Sequence, residues 1–309
     1  MRIKTFGWRN KNLDQISRIE EGLLSLEHQI TSDDPEIIYC NDSTVYSEGE
    51  SLKNLYPNSK LIFNVLDIPP HCLDYGKFNL SKYAYIHNPY GRTFNINELK
   101  HNLSKADIVT CICEEVRSQV KEFCNIDSFV IHNPVRDIDF IKLNDSQKVQ
   151  NSRGVKYKYL YVGRIDSNKR FEIVKNVLKT LNEPQDLLAV AGPDNPNFGD
   201  FYSVLGNEHL NLLYNSVDYL FLPAAFKSIG LPALEAVISH CVPIVCDDDP
   251  CTAEFFKDIG LSSDPTQIAK AILDKDWNEH AKKWVTEQSS KYKKQMDKKQ
   301  IAQNILNLL

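Results

Sequence analysis

Two loop cations follow a strand-like segment in the second half of the chain. In "YVGRIDSNKRF" an apolar strand ends at Gly163, and Arg164 and Lys169 follow before the next helix-like segment. Both side chains bond phosphate oxygens, and the unpaired amides of a helix N-terminus favour negative charge. Together they can neutralise a diphosphate. Taken alone, the pair fits solvated loop charges as well, so a phosphate site needs support from a second element.

The stretch "FKSIGLPALEAV" supplies that second element. It follows the strand-like "DYLFLP" and predicts a helix that begins at Gly-Leu-Pro, where Gly230 and Leu231 offer free amides. Lys227 precedes the helix. Glu235 lies inside it, where a carboxylate can accept hydrogen bonds from vicinal hydroxyls such as those of a ribose. The alternative for Glu235 is an ordinary solvated helix residue. Since both stretches follow strands, they are expected at the same edge of one sheet.

Strand-like and helix-like segments alternate along almost the whole chain. "RIKTFG", "EIIYC", "LIFNVL" and "ADIVTCIC" indicate strands of the first half, and "YKYLYVG", "DLLAVAG", "DYLFLP" and "VPIVCDD" indicate strands of the second. Between the first two strands, residues 13–30 place Leu13, Ile16, Ile19, Leu23 and Ile30 at helical spacing. The tail from Thr266 is helix-like and rich in lysine. This order predicts an α/β fold with parallel sheets.

The pattern predicts two Rossmann-like domains that face each other across a cleft. Residues 1–135 form the first predicted domain, the polar residues 136–156 a linker, and residues 157–280 the second domain. Residues 281–309 are expected to be helices that pack back on the first domain. Such folds bind ligands beyond the carboxyl ends of their strands, so the cleft is the expected site.

Composition limits the classes of function. The 309 residues are 42% hydrophobic and 25% charged, with a formal net charge of -5, so any basic site must be local. The eight cysteines show no zinc-knuckle spacing and are expected to be reduced core residues. The start "MRIKTFGWRN" lacks a signal-peptide run, and no apolar stretch approaches the ~20 residues of a membrane span. We therefore expect a cytoplasmic protein without a transmembrane segment.

The stretches from Tyr159 to Leu178 and from Leu210 to Asp249 resemble the nucleotide-sugar half of GT-B glycosyltransferases, specifically the large retaining family four. The resemblance implies that Arg164 and Lys169 hold the donor diphosphate. It also implies that Glu235, the second acid of a Glu-x7-Glu motif, holds the ribose. The implied donor site comprises Gly163, Gly192, Pro193, Leu205, Lys227, Ser228, Ile229, Gly230, Leu231 and Glu235.

The first half resembles the same family more loosely. "KADIVTCICEEVRSQV" and "FVIHNPVRDIDF" are similar to the end of that family's first domain, including Asn133 and Pro134. Arg9 and Lys11 follow the first strand and can serve a phosphate of donor or acceptor. The residues expected on the acceptor or sugar side are Gly7, Arg9, Asp67, His87 and Asn133.

The chain departs from the family pattern at three places. Lys227 stands where the first motif Glu would contact the transferred sugar, so we expect its ammonium to reach the diphosphate or a charged group of the sugar. In "NVLDIPP", Leu66 takes the place of a family His, and only Asp67 matches. The stretch between Gly192 and Leu205 is short. The donor sugar therefore does not follow from the resemblance.

The resemblance implies transfer of a sugar from a nucleoside-diphosphate sugar to a hydroxyl group with retention of configuration. Arg164 and Lys169 would stabilise the leaving diphosphate. No cofactor and no metal is expected besides this donor. If the reaction inverts instead, Asp67 is the expected base. The acceptor is expected to be a cell-surface or lipid-linked glycan, or a hydroxylated base in DNA.

Three alternatives stay open. The run Asp247, Asp248 and Asp249 imitates a carboxylate metal site, although the basic pair already matches the phosphate charge. The same fold serves sugar-nucleotide epimerases and could serve a non-catalytic binding protein; "HNPYGRTFNINELKH" offers His87, Arg92 and His101 for such a role. The third alternative concerns the tail, which could contact an anionic membrane or nucleic-acid phosphates instead of only packing on the first domain. Its lysines are Lys282, Lys283, Lys291, Lys293, Lys294, Lys298 and Lys299, and its apolar side is marked by Trp277, Trp284, Val285, Tyr292 and Ile301.

Overall fold

The chain forms two compact units. The computed structural model describes residues 1–7, 15–41, 45–66, 96–135, 140–144, 148–151, 153–166, 168–224, 230–247 and 249–309. Of these, residues 1–66, 96–135 and 295–309 belong to the first unit, and residues 140–294 belong to the second.

Within the described residues, the first unit is built on six parallel strands in the order β2-β1-β3-β4-β5-β6. The strands are β1 (Arg2–Phe6), β2 (Gln29–Ile30), β3 (Ile37–Cys40), β4 (Lys60–Val65), β5 (Ile108–Cys111) and β6 (Phe129–Val130). The helices are α1 (Gln15–Ser25), α2 (Tyr46–Leu55), α3 (Ile96–Leu103), α4 (Glu114–Gln119) and, from the C-terminus, α11 (Lys298–Leu306). A π-helical turn, Val120–Cys124, continues α4.

In the described part of the second unit, five parallel strands have the order β11-β10-β7-β8-β9. The strands are β7 (Tyr159–Val162), β8 (Leu188–Ala191), β9 (Asp200–Tyr202), β10 (Tyr219–Leu222) and β11 (Val242–Val245). The helices are α5 (Phe171–Leu181), α6 (Asn207–Ser216), α7 (Leu231–Ile238), α8 (Pro250–Phe256), α9 (Pro265–Leu273) and α10 (Lys275–Gln295).

Four of the strands are buried along their whole length. Every residue of β3, β8, β10 and β11 is buried, as expected for parallel strands that helices cover on both faces. The predicted α/β fold with two Rossmann-like units is therefore confirmed.

One local prediction was wrong, and one strand was not predicted. Ile30 is not helical: α1 ends at Ser25, Glu27 takes a left-handed conformation with φ 62°, and Ile30 pairs with Ile3 in the sheet. The short stretch after Gly192 contains the strand that was not predicted, β9. Helical spacing did not exclude a chain reversal at Glu27, because spacing does not report backbone conformation.

The predicted linker 136–156 belongs, in its described part, to the second unit. The Ile141 amide donates to Asn211 Oδ1 at 3.1 Å and the Leu143 amide to Asn215 Oδ1 at 2.7 Å, so this segment lies along α6. Farther along, the Arg153 and Val155 amides share Asn151 Oδ1 as acceptor.

The tail predicted to pack on the first domain is divided between the units. Residues 281–294 belong to the second unit, where Trp284 and Tyr292 of α10 pack on Phe256, while α11 packs on α1 in the first. The predicted lysine face of α10 is exposed, whereas Lys298 pairs with Glu21 at 2.8 Å. Among the described residues, no helix has the length and apolar content to cross a membrane.

The docking of α11 on α1 gives a stability prediction. A Cβ atom on Gly22 would collide with the Lys298 carbonyl oxygen and lie 3.0 Å from the Ala302 Cβ. We expect Gly22→Leu to lower the free energy of unfolding by about 1–3 kcal/mol because the helices must separate, although leucine favours a helix more than glycine does. Urea denaturation followed by circular dichroism measures this.

The control is Gly206→Ser, since Gly206 is the N-cap of α6, has nothing within 4 Å of a Cβ, and serine caps helices well. Equal midpoints for Gly22→Leu and the unsubstituted protein would contradict the packing of α11 on α1.

Candidate functional site

Two of the predicted glycines touch at the carboxyl edge of the second sheet. Strand β7 lies between β10 and β8, so the loops that follow these strands begin side by side. Gly163 has φ 151°, which side chains disfavour, and its amide donates to the Ala191 carbonyl at 3.0 Å. A Cβ on Gly192 would collide with the Gly163 carbonyl oxygen. Both glycines therefore permit a close approach of two loops, and Pro193 follows as an exposed residue.

The loop after β7 forms a turn around one carboxylate. Asp166 Oδ2 lies 3.2 Å from an Arg164 guanidinium nitrogen, and Asp166 Oδ1 accepts the Lys169 amide at 2.9 Å. The two predicted cations thus lie on one turn whose shape Asp166 sets. The Ile165 amide donates to Asp194 Oδ2 at 3.1 Å, which ties the turn to the loop after β8.

Tyr161 supports the same turn from the strand below. Its hydroxyl donates to the Arg164 carbonyl at 2.6 Å. Burial raises the pKa of Tyr161 far above its ordinary value, so the hydroxyl keeps the proton that this bond needs.

The start of α7 lies at the same edge, because it follows β10. Gly230 is its N-cap in an extended conformation, and the Ala233 and Leu234 amides donate to the Gly230 carbonyl at 2.8 and 3.2 Å. Pro232 has no N–H, and the Leu231 amide precedes the first carbonyl that a helix could offer it. The start of α7 therefore offers an anion the Leu231 amide and the positive end of the helix dipole.

Glu235 is buried, at 4% exposure, which excludes the alternative of a solvated helix residue. Its Oε2 accepts a hydrogen bond from the Tyr214 hydroxyl at 3.1 Å, and Tyr214 on α6 is fully buried with its ring edge against Phe140. A buried carboxylate is costly without such donors. Tyr214 therefore fixes one oxygen of Glu235, while a role in ribose binding stays a prediction.

The remaining predicted residues lie elsewhere. Leu205 is half-buried before α6, in the second unit. In the first unit, Gly7 follows β1, where a Cβ would lie 3.0 Å from the Ile16 Cβ. Asn133 is buried, and its Nδ2 has no hydrogen-bond partner among the described residues. The predicted residues Arg9, Lys11, Asp67, His87, Arg92, Lys227, Ser228, Ile229 and Asp248 lie outside the described residues.

A row of buried polar side chains at the carboxyl edge of the first sheet was missed. The Thr110 hydroxyl donates to Asn64 Oδ1 at 2.8 Å, and Asn64 Nδ2 donates to Asn41 Oδ1 at 2.7 Å. The row joins β5, β4 and the residue after β3. In the sequence, this row is indicated only by a polar residue within or directly after each apolar strand.

Two carboxylates of the acidic run, Asp247 and Asp249, lie within the described residues and differ in their surroundings. Asp249 is fully buried at the N-cap of α8 and accepts the Thr252 hydroxyl at 2.5 Å, whereas Asp247 is exposed. Within the described residues, no group of three or more potential metal-ligating side chains occurs.

Comparison with known proteins identifies the fold. No family model matches the chain. An uncharacterized 41.2 kDa protein in a cps region of Klebsiella pneumoniae is 21% identical over 287 residues, which cover 80% of this chain and 78% of the relative. Sucrose-phosphate synthase from Thermosynechococcus elongatus has a TM-score of 0.70 at 16% identity, covering 89% of this chain and 73% of that one. HepE from Anabaena, in complex with UDP and glucose, has a TM-score of 0.71 at 11% identity, covering 100% and 99%.

The chain has the GT-B fold. The candidate site lies in the second of the two Rossmann-like units, at the edge of the sheet where β7, β8 and β10 end.

The buried pair of Tyr214 and Glu235 gives a second prediction. Tyr214→Phe removes the hydroxyl that bonds Glu235, so we expect a loss of about 1–3 kcal/mol in the free energy of unfolding. A double-mutant cycle with Glu235→Leu isolates the contact. In the Glu235→Leu background the same Tyr214→Phe change should cost far less; an equal cost in both backgrounds would show that the hydroxyl acts elsewhere.

Proposed function

We propose that the protein is a glycosyltransferase that transfers a sugar from a nucleoside-diphosphate sugar to a hydroxyl acceptor. One observation carries the proposal. The turn that bears Arg164 and Lys169 and the amide end of α7 lie at the same sheet edge, beside the close contact of Gly163 and Gly192. Cations, free amides and bare backbone together suit a diphosphate. HepE, which shares the fold, has been solved with UDP and glucose and with UDP-glucose.

The chemistry follows from the charge that develops as the glycosidic bond to the diphosphate breaks. Negative charge grows on the leaving diphosphate, and Arg164, Lys169 and the start of α7 stabilise it there. The departing phosphate can take the proton of the acceptor hydroxyl, so retention of configuration needs no strong protein base. The Glu235 carboxylate accepts hydrogen bonds from the ribose hydroxyls, and the Tyr214 hydroxyl orients this carboxylate. The donor site is completed by Gly230, Leu231, Gly192, Pro193, Leu205 and, at sequence positions beyond the described residues, Lys227, Ser228 and Ile229.

We further propose a UDP-sugar as donor and a glycan or lipid-linked glycan as acceptor. The donor is supported by the HepE complexes, and the acceptor by the name of the Klebsiella relative, which places that protein in a cps region. The exposed lysine face of α10 would suit an anionic membrane surface at which such an acceptor is held. A DNA acceptor has no support beyond this basic face. Release of UDP only in the presence of an acceptor separates a transferase from an epimerase or a binding protein.

The diphosphate assignment predicts the effect of removing either cation. Arg164→Ala and Lys169→Ala should each lower kcat by about 10²–10³, because each removes a charge that stabilises the leaving group. Turnover is measured as UDP release from a UDP-sugar with acceptor, and folding by circular dichroism.

Lys179→Ala is the matched control, since Lys179 is an exposed lysine in the last turn of α5. It should leave turnover unchanged. Rates close to those of the unsubstituted protein for both Arg164→Ala and Lys169→Ala, with unchanged melting temperatures, would exclude the diphosphate assignment.

We also propose that transfer needs no divalent metal, because the two cations and the helix start already oppose the diphosphate charge. Activity should persist in EDTA after dialysis into metal-free buffer. Activity that strictly requires Mg²⁺ or Mn²⁺ and is lost in the Asp247→Ala variant would contradict this proposal. Asp247 is the residue to test because it is an exposed carboxylate of the acidic run.

A further inference from the structure

Arg170 has a backbone conformation that arginine rarely adopts. It is the N-cap of α5, directly after Lys169, with φ 48° and ψ 44°. This left-handed region brings Cβ close to the following carbonyl in residues other than glycine, and such strain persists only where surrounding contacts impose it. The contacts that hold Arg170 there should therefore be specific.

The guanidinium of Arg170 reaches the end of a different strand. Its Nε donates to the Pro223 carbonyl at 2.5 Å, and its Nη2 donates to the Ala224 carbonyl at 2.9 Å. These two carbonyls follow Leu222, the last residue of β10. A planar guanidinium holds two acceptors at a fixed spacing, which a lysine ammonium cannot do.

The turn that carries the two cations is consequently held on both sides. Asp194, after β8, accepts the Ile165 amide, and Arg170 bonds the chain where it leaves β10. From Ala224 the sequence runs through Lys227 to Gly230, the N-cap of α7. The turn that bears Arg164 and Lys169 is called the cation turn below. Arg170 thus joins the end of the cation turn to the end of β10.

We propose that Arg170 is a positioning residue that fixes the cation turn relative to the end of β10, so that this turn and the start of α7 face one diphosphate. The identity of the ligand in this inference rests on the proposed function, whereas the contacts of Arg170 do not. The opposite end of α5 offers a comparison: Asn182 is also left-handed, with φ 52°, and its own amide bonds the Leu178 and Lys179 carbonyls. A cap of that kind needs no side chain that reaches another strand.

Hydrogen–deuterium exchange of the ligand-free protein tests the geometry without any assumption about activity. Arg170→Gly accepts the left-handed conformation and removes the guanidinium, whereas Arg170→Lys keeps a positive charge and loses the fork. Both variants should exchange faster than the unsubstituted protein in peptides that cover the end of β10 and the first turn of α7. Asn182→Gly, the matched control, should not change these peptides. Unchanged exchange in both Arg170 variants would overturn the proposal.

Calorimetry with UDP then tests the link to the ligand. If Arg170 positions the diphosphate site, Arg170→Gly and Arg170→Lys should each raise the Kd for UDP about tenfold, the scale of a lost charged hydrogen bond. Asn182→Gly should bind as the unsubstituted protein does. Faster exchange with an unaltered Kd would overturn the positioning role. An unsubstituted protein that does not bind UDP would contradict the UDP-sugar proposal, while exchange would still decide whether Arg170 holds the chain after β10.

Discussion

The candidate site depends on the place of β7 between β8 and β10 in the second sheet. Parallel strands put their carboxyl ends at one edge, so three loops begin within reach of one another. Gly163 and Gly192 let two of these loops touch, and Asp194 and Arg170 bond the turn after β7 to its neighbours on either side. The positions of Arg164, Lys169 and the start of α7 follow from this strand order more than from any single loop.

Buried polar groups fix the surroundings of that edge. Tyr214 holds one oxygen of Glu235, and the Thr252 hydroxyl holds one oxygen of Asp249. Such bonds add modest net stability, but an unpaired buried carboxylate would be costly, so the side chains keep one arrangement. The Glu235 carboxylate is therefore held in one orientation before a ligand arrives.

Local order along the chain was enough to predict where four of the proposed site residues lie in the fold. Gly163, Arg164, Lys169 and Gly230 stand in strand–loop–helix sequences, and the carboxyl end of a parallel strand is where such sequences place charge and free amides.

Other features could not be predicted, because they depend on which strands are neighbours. The bonds of Arg170 to Pro223 and Ala224 join residues 53 and 54 positions apart, and the Tyr214 bond to Glu235 joins two helices. The error at Ile30 has a different cause, since its apolar spacing fits a helix although the backbone turns at Glu27.

The central claim is that a nucleoside diphosphate binds at the carboxyl edge of the second sheet. A crystal structure of the protein with UDP tests it most directly. We predict diphosphate oxygens about 3 Å from the side-chain nitrogens of Arg164 and Lys169, and ribose hydroxyls about 3 Å from Glu235. UDP bound at any other surface, with these three side chains free of the nucleotide, would contradict the account.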